Sequence, residues 1–118
     1  MLSKSNIKLI TSLRVKKYRN EINLFVAEGE RLVSEIIESS LKIKVIYYCA
    51  GWANGAKRND FERVEITEAE MKKISGLSTP SNVLATVSIP EYTITDCKIG
   101  NTLTIALDDI QDPGNLGT

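Results

Sequence analysis

A chain of 118 residues, 42% hydrophobic and 25% charged, has the make-up of one ordinary globular domain plus a remnant, not of a disordered polymer. No apolar run approaches the roughly 20 residues of a membrane span, and the complete lack of histidine removes the usual general base for serine or cysteine nucleophiles. A net charge of zero hides an asymmetry, because residues 1–20 hold Lys4, Lys8, Arg14, Lys16, Lys17 and Arg19 and none of the 15 acids; that basic end is either a polyanion contact or a solvated first helix.

The polar start, with Lys4 and Lys8, is not a signal peptide, and a cytoplasmic protein without a membrane partner is expected. Ile7, Ile10 and Leu13 recur at helical spacing. Arg14 and Lys17 project into the same arc, so a straight helix to Asn20 would push charge into its own core face. A break or loop is expected near residues 14–20. Asn23 to Ala27 reads as a short buried strand, and Glu28-Gly29-Glu30 turns it into a helix bearing Leu32, Val33, Ile36 and Ile37, its acids suited to the helix dipole.

After Ser39-Ser40 the run Ile43 to Cys49 is β-branched and aromatic and predicts a second strand. Gly51 to Arg58 predicts a loop with a short helix, in which Trp52 either packs or stacks a base. Phe61 to Ile66 is a third strand, and Thr67-Glu68-Ala69-Glu70 is a capping-box pattern opening a helix from Glu68 to Ser75, ended by Gly76. Thr79 to Asn82 is a turn before the apolar strand Val83 to Ser88. Strands alternating with short helices predict a compact α/β sandwich, a sheet covered on both faces, over residues 1–89.

Residues 90–101 read as a linker, and Thr102 to Leu107 as an apolar strand of the central parallel type, with no partner strand left in the sequence. It runs into Asp108-Asp109-Ile110-Gln111-Asp112-Pro113-Gly114-Asn115-Leu116-Gly117-Thr118. Polar groups at the C-terminal end of such a strand suit ligand binding, or Asp112 or Asn115 simply caps the next helix. The stretch is neither a Walker loop nor a GxGxxG turn. Cys49 and Cys97 lack CxxC spacing and favour neither a zinc site nor a disulfide scaffold.

Leu107 to Thr118 resembles the first signature motif of the SpoU/TrmH group of SPOUT RNA 2′-O-ribose methyltransferases. Ser12-Leu13, Lys16-Lys17-Tyr18-Arg19, Leu24 to Gly29, Leu32-Val33 and Thr79-Pro80 before Val83 resemble that family's substrate-binding domain. The resemblance implies a ribosomal-protein-like α/β/α RNA-binding domain over residues 1–89, then the first strand of a knotted methyltransferase domain over 102–118. It further implies a parent enzyme that takes a methyl group from S-adenosylmethionine to ribosomal or transfer RNA and dimerises through its catalytic domain. Asn115 matches the motif's active-site asparagine; its arginine partner and the cofactor-pocket motifs have no counterpart in the chain. The 118 residues are therefore expected to be a monomeric piece that binds RNA, holds no cofactor and is not catalytic alone.

The RNA contacts expected from this reading are Arg14, Lys16, Lys17, Tyr18 and Arg19, with Glu28 and Gly29 at the adjoining turn, because RNA binding rests on phosphate neutralisation and on stacking of unstacked bases. Duller roles stand beside them: Tyr18 packing on the sheet, Phe25 in the core, and Glu28 as a favourable charge at a helix start. The alternatives are a free-standing ribosomal-protein-like RNA-binding module and a piece of an unrelated α/β enzyme whose Asp112–Thr118 turn binds phosphate.

Overall fold

The computed structural model describes residues 1–53, 57–112 and 116. The first helix, α1 (Lys4–Ser12), starts at Ser3, whose hydroxyl accepts from the Asn6 N–H at 3.1 Å, and buries Ile10. The chain breaks over Leu13–Val15, where the sequence predicts it, but Lys16–Ile22 then forms a second short helix, α2, rather than a loop. Periodicity could not show α2, because it buries no residue. End groups hold it instead: Asn23 closes it in the left-handed conformation at φ 59°.

The sheet contains β1 (Leu24–Glu28), β2 (Ile43–Tyr48), β3 (Glu62–Glu65) and β4 (Val83–Ser88) in the order β1-β4-β2-β3. The last strand in sequence is central, antiparallel to both β1 and β2, while β3 runs parallel to β2 at the edge. Alternation along β4 serves both layers. Val83, Ala85 and Val87 meet Val33, Ile36 and Ile37 of α3 (Glu30–Glu38) on one face, and Leu84 meets Ile10, Met71 and Ile74 of α1 and α4 (Glu68–Ile74) on the other. The expected sheet with helices on both faces is what forms.

Helix α4 has the expected capping box: the Thr67 hydroxyl accepts from the Glu70 N–H at 3.2 Å, and the Glu70 carboxylate accepts from the Thr67 N–H at 3.0 Å. The same carboxylate also accepts from the Leu2 N–H at 2.7 Å, so it lashes the start of the chain to α4. The helix ends on Ser75 in extended conformation, and Gly76 is not needed as a left-handed terminator.

Two other expectations change. In the segment 51–58 the described residues include no helix, and residues 54–56 lie outside the description; Trp52 packs on Tyr48, ring centroids 5.6 Å apart. Thr102 to Leu107 does not form a strand: Leu103 and Ile105 are 88% and 72% exposed. A strand requires a neighbour to take its N–H and C=O groups, and among the described residues no strand pairs with this run. Residues 90–112 have one 3-10 turn, Ile94–Asp96, as their only regular element. Among the described residues no helix is long and apolar enough to cross a membrane.

Candidate nucleic-acid interface

The break between α1 and α2 is organised by two arginines. Arg19 donates from Nη1 to the carbonyls of Leu13 at 3.0 Å and Arg14 at 2.8 Å, taking up acceptors left open where α1 ends. Arg14 in turn donates from Nη2 to the carbonyls of Ile74 (3.3 Å) and Ser75 at the end of α4. Five planar N–H donors let a guanidinium cap a helix end and keep others free.

Glu28, at the end of β1, reaches the same helix end from the other side. One carboxylate oxygen accepts from the Ser75 hydroxyl, and the other accepts from the Gly76 N–H at 2.9 Å. The Ser75 hydroxyl also accepts from the Leu77 N–H at 3.1 Å. The turn after α4 is thus gripped by a carboxylate on its donors and a guanidinium on its acceptors. Glu28, which directly precedes Gly29 at the N-terminal cap of α3, also makes this tie across 48 residues of sequence, one that its place beside a helix start does not predict.

These contacts wall a groove of about 380 Å³ lined by Arg14, Arg19, Phe25, Glu28, Gly76 and Leu77, with Ile10, Leu13 and Ile74 beneath. Three residues expected from the sequence, Arg14, Arg19 and Glu28, therefore meet at one place. Lys16, Lys17 and Tyr18 do not line the groove; they stand exposed on α2 beside it, with the Lys17 ammonium 5.9 Å from the Tyr18 ring centre. Tyr18 is 42% exposed and available to solvent rather than packed away on the sheet. Gly29 faces elsewhere: at φ 114° it starts α3, donating its N–H to Val83 and accepting from Val33. Phe25 is half-buried against the α3-side core while one part lines the groove, so its core reading and a contact role coexist.

Sequence reasoning missed Ser75, Gly76 and Leu77, which carry no charge and lie some 60 residues from Arg14. It also missed Arg58, which donates to the carbonyls of Ser39 (2.9 Å) and Leu41 (2.6 Å) after α3 and pairs with Asp60 at 2.6 Å. The hydrogen bond from Arg58 holds the Asp60 carboxyl below the usual carboxylate range. Burial, aided by Glu68, pushes the Cys49 thiol up, so it is not poised as a nucleophile. Among the described residues no cluster of His, Cys, Asp or Glu could hold a metal ion. Asn115 lies outside the described residues.

A family model of the MRM3-like substrate binding domain matches residues 4–85. The 23S rRNA (guanosine(2553)-2′-O)-methyltransferase RlmP of Bacillus subtilis is 27% identical over 107 residues, 90% of this chain and 42% of that protein. A TrmH-family structure from Porphyromonas gingivalis superposes with a TM-score of 0.68 at 33% identity, covering 76% of this chain and 36% of that one. An AdoMet-bound rRNA methyltransferase from Sinorhizobium meliloti gives 0.63 at 25% identity, covering 82% of this chain and 39% of that one. The chain spans between 29% and 42% of the length of the curated relatives it matches.

Proposed function

The chain belongs to the family of MRM3-like substrate binding domains, and from that premise we propose that it is the RNA-holding part of a SpoU/TrmH-type enzyme that methylates ribose 2′-hydroxyls of ribosomal RNA. The observation that carries this reading is the family match over residues 4–85, the stretch that builds most of the helix-covered sheet and presents the basic surface of α2. The match disfavours both a free-standing module and an unrelated phosphate-binding enzyme. In the proposed layout residues 1–89 bind RNA, 90–101 link, and 102–118 begin the catalytic domain, with Asn115 at the reaction centre by its likeness to the family motif.

S-adenosylmethionine would supply the methyl group in the whole enzyme. The described residues of the motif segment do not fit it: Leu107, Ile110 and Leu116 are 57%, 47% and 53% exposed, whereas a cofactor site buries most of its ligand against apolar walls. No step of the transfer is assigned to the described residues, and the chain alone is proposed to bind RNA without methylating it.

Binding in this reading starts with phosphates. Lys16 and Lys17 are exposed, and neither is used to hold a helix end, whereas Arg14 and Arg19 already do so. The test is fluorescence anisotropy of the chain with a labelled ribosomal RNA stem-loop across a salt series. Lys16→Ala with Lys17→Ala should weaken binding and flatten the logarithmic salt slope by about 1 to 2, near 0.7–0.9 per phosphate lost. An unchanged affinity and slope would sink the proposal.

A further inference from the structure

We propose that the groove between Arg19, Phe25, Glu28 and Leu77 receives a single unstacked RNA base, that Glu28 reads its hydrogen-bonding edge, and that the base it favours is guanine. The inference rests on the RNA-binding reading above and adds to it a site and a specificity.

The chemistry of the lining leads there. A carboxylate has about four lone-pair sites, of which the Ser75 hydroxyl and the Gly76 N–H occupy two, one on each oxygen. Each oxygen thus retains one acceptor position. Guanine is the base that offers two N–H donors side by side, its ring N1–H and its exocyclic amine, which matches two adjacent acceptor oxygens. Adenine and cytosine each set a ring nitrogen acceptor beside their amine, and uracil flanks its N–H with carbonyls. Against a carboxylate those acceptors meet like charge.

The walls suit a flat ring. The guanidinium planes of Arg14 and Arg19 and the half-buried ring of Phe25 are surfaces on which unstacked bases pack. Leu77, 51% exposed, forms an apolar lip. The groove volume of about 380 Å³ is within the usual range for small-molecule sites, roughly 300–1,000 Å³. The pocket is also held in place before any ligand arrives, since Ser75 links Glu28 to Leu77 through one hydroxyl. Lys16 lies three residues before Arg19 on α2, on the same side of the helix, where it can meet the phosphates flanking a base seated against Arg19.

The experiment measures binding of the chain to one stem-loop RNA whose loop is all uridine except for a single position, filled in turn by guanosine, inosine, adenosine and cytidine. Guanosine should bind about tenfold more tightly than adenosine or cytidine, as for a well-formed two-point base contact, with inosine, which lacks the exocyclic amine, in between. Glu28→Gln should erase the preference for guanosine over adenosine while leaving the salt slope alone. Leu77→Ala, at an exposed position where folding is not at stake, should weaken the guanosine loop a few-fold more than the others, and it decides the matter if Glu28→Gln does not fold. Equal affinity for every loop, or a preference that survives in folded Glu28→Gln, overturns the pocket. If binding is base-blind yet falls on removal of Lys16 and Lys17, the pocket fails and the broader reading stands. If no loop binds even at low salt, both fail.

Discussion

Val83–Ser88 and Thr102–Leu107 are two apolar runs of the same length with opposite fates. The first is β4, hydrogen-bonded on both sides, with Val83 to Val87 all buried. The second has no flanking strand among the described residues, and Leu103, Ile105 and Leu107 are exposed. Composition makes a run eligible to be a strand; the neighbours that take its backbone groups make it one.

The largest expected effect sharpens that contrast. Leu84→Ala removes a wholly buried side chain from the layer beneath α1 and α4 and should cost about 2–5 kcal/mol in denaturant unfolding, whereas Ile105→Ala should change stability by less than about 0.5 kcal/mol. A comparable loss from both would mean that the second run is packed after all. Next in size is Arg14→Ala, which strips the carbonyls of Ile74 and Ser75 of their donor and should cost about 1–2 kcal/mol. Thr67→Ala, removing the cap of α4, should cost about 1 kcal/mol, measured the same way.

Acid should act on the same unit. The N–H groups of Thr67 and then Leu2 hold the Glu70 carboxyl below the usual carboxylate range. A carboxyl lowered on folding adds stability above its unfolded value, about 4.3, and loses that contribution as pH falls through the lower folded value. Thermal midpoints should therefore drop more steeply below about pH 4 in the wild type than in Glu70→Gln; parallel curves would refute the linkage. The smallest effect on stability is expected for Lys16→Ala with Lys17→Ala, within about 0.5 kcal/mol, despite its effect on RNA. Chymotrypsin offers a kinetic version of the comparison, cutting after Tyr92 and Leu103 before any site between Lys4 and Ser88.

What could be read from the sequence was what is local. The capping box at Thr67 and Glu70, the limits of β1 to β4 to within a residue and the break after α1 follow from residues within a few positions of one another. The order β1-β4-β2-β3 does not, because pairing Leu24 with Ser88 is a long-range choice that many strand patterns permit. The basic segment was legible as charge but not as geometry. That Arg14 and Arg19 hold helix ends while Lys16 and Lys17 stand exposed depends on carbonyls, which every residue possesses and no residue letter announces. Helix α2 was hidden for a related reason: with nothing buried, it leaves no periodic stripe.

That dependence on carbonyls has a consequence for how such a domain drifts over evolutionary time. Arg14, Arg19 and Arg58 each hold main-chain oxygens, and Glu28 holds one main-chain N–H, so in these ties the partner's side chain is irrelevant. Leu13, Ile74, Leu41 and Gly76 could change identity without breaking them. Pairwise covariation, which detects contacts through matched substitutions, would be blind to these main-chain ties and would register only the side-chain pairs made by the same groups, Glu28 with Ser75 and Arg58 with Asp60.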